Sequence, residues 1–321
     1  MREHEGSNPP YDESREAPYR HLVARLEQAI GEIHSSEAFR AYLDVQARFH
    51  RYSPFNTILI LSQAPLASRV MGYGNKEGTT GWKSLGRQVN KGEKAIKIFA
   101  PRFRRVPDEE TGEPQRRLIG FRIVNVFDIS ATSGPPVPDF HVPVLEGDEG
   151  GELYARLERF AVGSRLCVED MSEAEATRHP SLMGYFQPEA RRIRVRPDVA
   201  QLQRTKTLAH ELGHAIAGHV VACSEYQERE AETEAESIAY VVCAHFGLDT
   251  GQRSFPYVAK WSQDQATFAG VLGRIQRTAA HIIEGVEGPA RHPGEEDLEA
   301  ADGGGPIVGT EGPLELGGSQ P

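Results

Sequence analysis

Cysteine is scarce in this chain. Cys167, Cys223 and Cys243 are the only three among 321 residues, odd in number and scattered. That argues against a disulfide framework and reads as reduced, buried thiols in a cytoplasmic protein. Long apolar runs are missing as well, and nothing approaches the roughly 20 apolar residues needed to cross a bilayer. Met1 to Pro18 is polar and proline-bearing, with no apolar signal core. No internal repeat is found, and the Gly-rich loop Gly72 to Gly81 lacks Walker spacing, so it is not read as a nucleotide cradle.

Basic charge is short overall, with a net charge of −10, but its distribution is uneven. Glu37 to Val106 holds 13 Lys/Arg against 4 Asp/Glu, a local +9, whereas Glu287 to Pro321 sets Arg291 alone against 8 acids, a local −7. The chain is long enough for two modest domains, each able to bury a core. We therefore expect an α+β protein: a small basic α+β N-terminal domain over residues 19–132, then a mainly helical domain over 148–286. Residues 1–18 and the Gly-, Pro- and Glu-rich tail 287–321 read as disordered. The stretch beginning Ser133-Gly134-Pro135-Pro136-Val137-Pro138 reads as a linker, 133–147.

His210-Glu211-Leu212-Gly213-His214 has HExxH spacing. On a helix, positions i and i+4 lie one above the other, so two imidazoles can reach one Zn²⁺ from the same face. Glu211 projects beside them, where it can take a proton from a water that the ion activates. Such a pentapeptide can arise by chance, so its surroundings decide. Asp198 and Gln201 read as a capping box for a helix from about Val199 to His219, with Leu208, Leu212, Ala215 and Ile216 as its apolar stripe. Upstream, Tyr185 to Arg196 alternates like a strand after a turn. A strand leading into an HExxH helix is the zincin arrangement.

Catalytic zinc usually takes three protein ligands. Gly218 and His219 are off register for the HExxHxxGxxH solution, and His219 reads as a helix-end histidine. A second helix supplies the third ligand. Ser224 and Gln227 cap it, Gly247 ends it, and Ala231, Ala235, Ile238, Val242 and Phe246 share one face. Glu228 and Glu232 fall on or beside that face, Glu230 points away, and Glu234 lies on the opposite shoulder. A carboxylate turned toward a core needs a partner, and a cation fits. Glu232 is the chosen ligand, with Glu236 one turn on to orient a histidine. The competing reading is a solvated glutamate-rich face.

The basic half reads as helical from about Tyr19 to Phe49 with a break near Gly31 and His34, followed by a short helix, Asn56 to Gln63. Strands are expected at Ala95 to Phe103 and Leu118 to Ile129. Trp82, Lys83, Arg87, Lys91, Lys94, Lys97, Arg102 and Arg104 crowd together, with Arg105, Tyr73, Phe99 and Phe103 interleaved. Cations for phosphates and flat side chains for unstacked bases are the composition of a single-stranded-DNA surface; aromatics in a core beneath a solvated basic face have the same composition.

HELGH followed by ETEAESIAY resembles the gluzincin pattern in which a later helix carries E-x-x-A-[acid or Asn]. It is similar to the metallopeptidase domain of the ImmA/IrrE group and to the C-terminal domain of ArdC-type antirestriction proteins. On that register Glu232 is the ligand; Glu236 stands where relatives often carry Asp or Asn. Tyr52-Ser53-Pro54-Phe55-Asn56-Thr57, then Gly81 to Lys94, ending in Phe127-Asp128, resembles the ArdC-type N-terminal single-stranded-DNA-binding domain over about residues 20 to 132. The resemblance implies a zinc metallopeptidase, one Zn²⁺ per chain, coupled to single-stranded DNA, with an antirestriction role for mobile-element DNA and an unidentified protein substrate. Apart from the resemblance, Tyr257 in Ser254-Phe255-Pro256-Tyr257 is a candidate oxyanion donor, with a packed aromatic as the competing reading. Two alternatives stay open: a non-catalytic DNA protector with structural zinc, and an ImmA-like protease that cleaves a repressor.

Overall fold

The computed structural model describes residues 13–74, 81–107, 114–137, 150–219, 225–248 and 264–288. Tyr257, Cys223, the Ser224 cap, the acidic tail beyond Gly288 and most of the expected linker lie outside them; Glu287, expected to open the disordered tail, instead ends the last helix and meets His245. The class is α+β, with a mainly helical C-terminal part.

The chain opens with α1 (Glu13–Glu32), α2 (Ser36–Arg48) and α3 (Pro54–Gln63). Ser35 caps α2 by accepting from the Ala38 N–H, and Ser53 caps α3 with Pro54 in its first turn, so each break in the apolar period is a paired cap. Strands β1 (Val70–Gly72), β2 (Gln88–Val89), β3 (Ile96–Pro107), β4 (Pro114–Asp128) and β5 (Thr132–Ser133) follow. β1, β4 and β3 form an antiparallel sheet in that order, and β2 pairs with β5. β3 and β4 make a long hairpin with a bulge between Arg102 and Phe103. Its β3 edge is covered by two carboxamides of α3. Asn56 donates to Phe99 O (2.8 Å) and accepts from Phe99 N, and Gln63 does the same with Lys97 (2.9 and 3.0 Å). Each amide thus does what a neighbouring strand would do.

The C-terminal part contains α4 (Gly151–Gly163), β6 (Cys167–Asp170), α5 (Glu173–Arg178), β7 (Gly184–Gln187), β8 (Arg192–Val195), α6 (Gln201–Ala217), α7 (Glu225–His245) and α8 (Gln265–Glu287). β8 lies between β6, which is parallel to it, and β7, which is antiparallel. β7 and β8 are the hairpin behind the alternation seen at Tyr185 to Arg196. The Asp198–Gln201 capping box does not form. Helix α6 starts at Gln201 behind Ala200, which makes no side-chain cap, and Asp198 lies 3.5 Å from the Arg196 guanidinium instead.

Buried apolar residues from both halves form one cluster. Helix α2 packs on α7, where the Tyr240 hydroxyl donates to Asp44 and the His245 Nδ1–H donates to Ala47 O (2.8 Å). Phe39 of α2 meets Phe268 of α8, with ring centroids 6.4 Å apart. Cys243 is buried in this cluster, but Cys167 is exposed, because β6 turns it outward near its own Glu169. Among the described residues no helix is long and apolar enough to cross a membrane.

Candidate metal centre

Helix geometry sets His210 and His214 one turn apart, their rings edge to face with centroids 4.8 Å apart and Nε2 atoms 3.1 Å apart. Helix α7 crosses α6 where Gly213 meets Ala235: a Cβ at Gly213 would lie 3.3 Å from Ala235 Cα and O. A glycine in HELGH therefore lets the helices approach closely, and that approach brings Glu232 in. Its carboxylate oxygens lie 3.2 Å from His210 Nε2 and 3.3 Å from His214 Nε2. One donor atom from each of the three residues falls within 4.8 Å of the other two.

The outer nitrogens are occupied as well. His210 Nδ1 faces Glu236 Oε2 at 3.5 Å, and His214 Nδ1 faces His219 Nδ1 at 3.0 Å. Both imidazoles therefore turn Nε2 inward and Nδ1 toward protein, the orientation a metal-ligating pair requires. Glu211 is 7 % exposed and accepts the Phe186 backbone N–H of β7. Burial raises its pKa to about 7; the Glu232 charge adds to this, while His210 opposes it. Glu232 is held well below the usual carboxylate range by its bonds to His210 and His214. Burial disfavours charge on His210, but its bonds to Glu232 and Glu236 outweigh that and push it to about 10. Burial draws His214 down. A proton on His210 thus answers the Glu232 carboxylate at the point where the three side chains meet, the place a divalent cation would take. Two imidazole nitrogens and one carboxylate oxygen fit a divalent metal ion with a further coordination position free.

The three donors line a cleft of about 510 Å³, the two histidines half-buried and Glu232 exposed. Met183, Tyr185 and Phe186 form one wall, with Lys206 and Glu228 at other points of the lining. Glu228 sits in the cleft without joining the three donors. His219 is more than a helix-end residue, since its ring packs against His214 (centroids 5.0 Å) and reaches Glu234. Gly218, directly after the last residue of α6, is the signal that could have indicated the turn back.

Two candidates for the DNA surface are corrected by the structure. Trp82 is 0 % exposed and its Nε1–H donates to Phe127 O (2.9 Å), so its faces are closed to bases. Arg87 donates to Thr132 Oγ1, Thr132 O and Pro135 O (2.8, 2.9 and 2.6 Å), which ties the chain after β5 to the loop before β2. Lys83, Lys91, Lys94, Lys97, Arg102 and Arg104 are exposed. Phe103 lies under the Arg116 guanidinium (4.1 Å), and Phe99 packs on Tyr19 (5.3 Å). Trp82 is thus a core residue, whereas Phe99 and Phe103 are half-buried beside exposed cations.

Residues 15–127 match the family described as the N-terminal domain of anti-restriction factor ArdC, and residues 164–244 match the IrrE N-terminal-like domain of the peptidase M78 family. The second match carries the donor cluster within a domain of a metallopeptidase-like superfamily. The chain carries both domains in this order, the arrangement of an ArdC-type protein. A Bacillus anthracis protein described as uncharacterized is 28% identical over 293 residues, 79% of this chain and 48% of that one. The chain thus spans about half the length of that curated relative. Crystal structures of the antirestriction ArdC protein from plasmid R388 share 21% identity with the chain. The metal-free form gives a TM-score of 0.48 over 74% of this chain and 85% of that one. The Mn(II)-bound form gives 0.44 over 78% and 99%.

Proposed function

We propose that the chain is a zinc-dependent metallopeptidase coupled to single-stranded DNA, with an antirestriction role for mobile-element DNA in the cytoplasm. Convergence of His210, His214 and Glu232 beside the buried Glu211 carries the reading. These three residues would hold one Zn²⁺, which supplies Lewis acidity toward a peptide carbonyl and toward water. Glu211 would accept a proton from the attacking water and return it to the leaving amine, a task that its place in the cleft beside His210 and His214 suits. The Phe186 N–H holds that carboxylate in place, and the walls of the cleft seat the peptide. The ArdC-type domain over 19–132 takes the DNA, and 133–147 links it to the peptidase part, 148–286.

The arm formed by β3 and β4 supports the DNA half. Arg104 pairs across the ladder with Arg117, and Arg105 with Arg116. Like charges directly opposite one another destabilise a hairpin, and a bound polyanion removes the repulsion. With Arg116 over the Phe103 ring and arginines facing one another along it, the arm offers phosphates a row of cations.

Zinc per chain, measured in the wild type, His210→Ala and Glu232→Ala, tests the reading. About one zinc in the wild type and none in either variant is expected. A wild type that takes up no zinc after repletion overturns it.

A further inference from the structure

His214 is held from behind by a line of side chains that ends on the last helix. Gly218 closes α6 in the left-handed region (φ 75°), so the backbone doubles back and the His219 N–H bonds to His214 O at 3.0 Å. That turn lays the His219 ring against His214, with the two Nδ1 atoms 3.0 Å apart. A hydrogen bond between two imidazole nitrogens needs one protonated and one bare. His214 Nε2 faces Glu232 and the Nε2 of His210, so as a ligand it is bare and the proton sits on Nδ1. His214 then donates to His219 Nδ1, which leaves the His219 proton on Nε2, 3.4 Å from Glu234 Oε2. Glu234 is 3% exposed and accepts from Arg274 of α8, through Nε (2.9 Å) and through a second, shorter bond from Nη2. Every donor and acceptor from Arg274 to His214 is thereby assigned.

We infer that His219, Glu234 and Arg274 form a positioning relay that fixes His214 as its Nδ1–H tautomer and so strengthens metal binding at the centre. The inference rests on the zinc reading above. Helix α7 serves the site twice, presenting Glu232 to the ion from one shoulder and Glu234 to the relay from the other. His210 takes its support directly from Glu236. His214 takes it through a second imidazole, because the Glu234 carboxylate is already engaged by Arg274 and reaches only as far as His219.

A packing role and a positioning role predict opposite orders for two substitutions. His219→Phe keeps the ring volume but accepts nothing, whereas His219→Asn loses volume but places an oxygen near the position of Nδ1. Chelator competition should show zinc affinity falling roughly 10–100-fold in His219→Phe and staying near the wild type in His219→Asn. In the Co²⁺-loaded wild type, NMR should show two shifted, exchangeable Nδ1–H protons, one of which exchanges rapidly in His219→Phe. Should that variant fail to fold, Glu234→Gln keeps the shape with a weaker acceptor and should lose roughly threefold to tenfold. Wild-type affinity in His219→Phe, or in Glu234→Gln with both protons protected, overturns the relay while the centre stands. A wild type that binds no zinc removes the centre itself and the relay with it.

Discussion

Replacing Glu211 by Gln should stabilise the metal-free protein, and only above a definite pH. Glu211 ionises freely in the unfolded chain near the ordinary carboxylate value of 4.5, but burial raises it to about 7 in the fold. A raised pKa means that the folded state holds its proton more tightly than the unfolded state does. The favourable contribution is therefore complete below pH 4.5, erodes as pH climbs, and is lost once pH passes 7. Each pKa unit corresponds to about 1.4 kcal/mol, so the native state loses about 3 kcal/mol across that window. Gln has nearly the same shape and no charge to lose. Urea unfolding of chelator-treated wild type and Glu211→Gln should agree near pH 4.5 and diverge by about 3 kcal/mol at pH 8, the variant being the more stable. The side chain is 7 % exposed, so solvent screening takes little from that figure. Parallel pH profiles for the two proteins would refute the argument, since they would mean that Glu211 is already ionised in the fold at low pH or is hydrated there.

The same variant should keep zinc yet lose cleavage of a permissive peptide library; equal cleavage would remove Glu211 from the proton transfer. Arg104→Ala with Arg117→Ala should lower the slope of log affinity against log salt for single-stranded DNA by about 1.4, two phosphate contacts at about 0.7 each. Arg87→Ala should leave that slope unchanged and lower the melting temperature, because its guanidinium is spent on Thr132 and Pro135; a changed slope at unchanged stability would return it to the DNA surface. Gly213→Val should destabilise by about 1–3 kcal/mol through overpacking and weaken zinc binding with all three donors intact, as chelator competition would show.

The parts of this molecule legible in the sequence are those set by short-range geometry. One helical turn dictates that His210 and His214 share a face, and the period of α7 restricts which glutamates can turn toward α6. The two long strands of the arm follow from alternation. What could not be read depends on which of two equal-looking partners wins. Asp198 had the right spacing for a cap, but Arg196, reached through the path of β8, competes for it and α6 begins at Gln201. Trp82 and Arg87 have the composition of a nucleic-acid surface, and only the tertiary positions of Phe127, Thr132 and Pro135 show that their polar groups are spent internally. The tie from His219 to Glu234 and Arg274 joins residues up to 55 apart in a line no periodicity describes.

Helix α7 is 21 residues long and touches the metal donors at one end and α2 at the other. It therefore belongs to both halves, like a beam built into two adjoining rooms. Severing the chain between β5 and α4 would not set two proteins free, because Tyr240 and His245 would still be bolted to Asp44 and Ala47, with Phe39 seated on Phe268. For the same reason neither half can be exchanged for a foreign one by matching a linker alone; the replacement must also fit the flank of the beam.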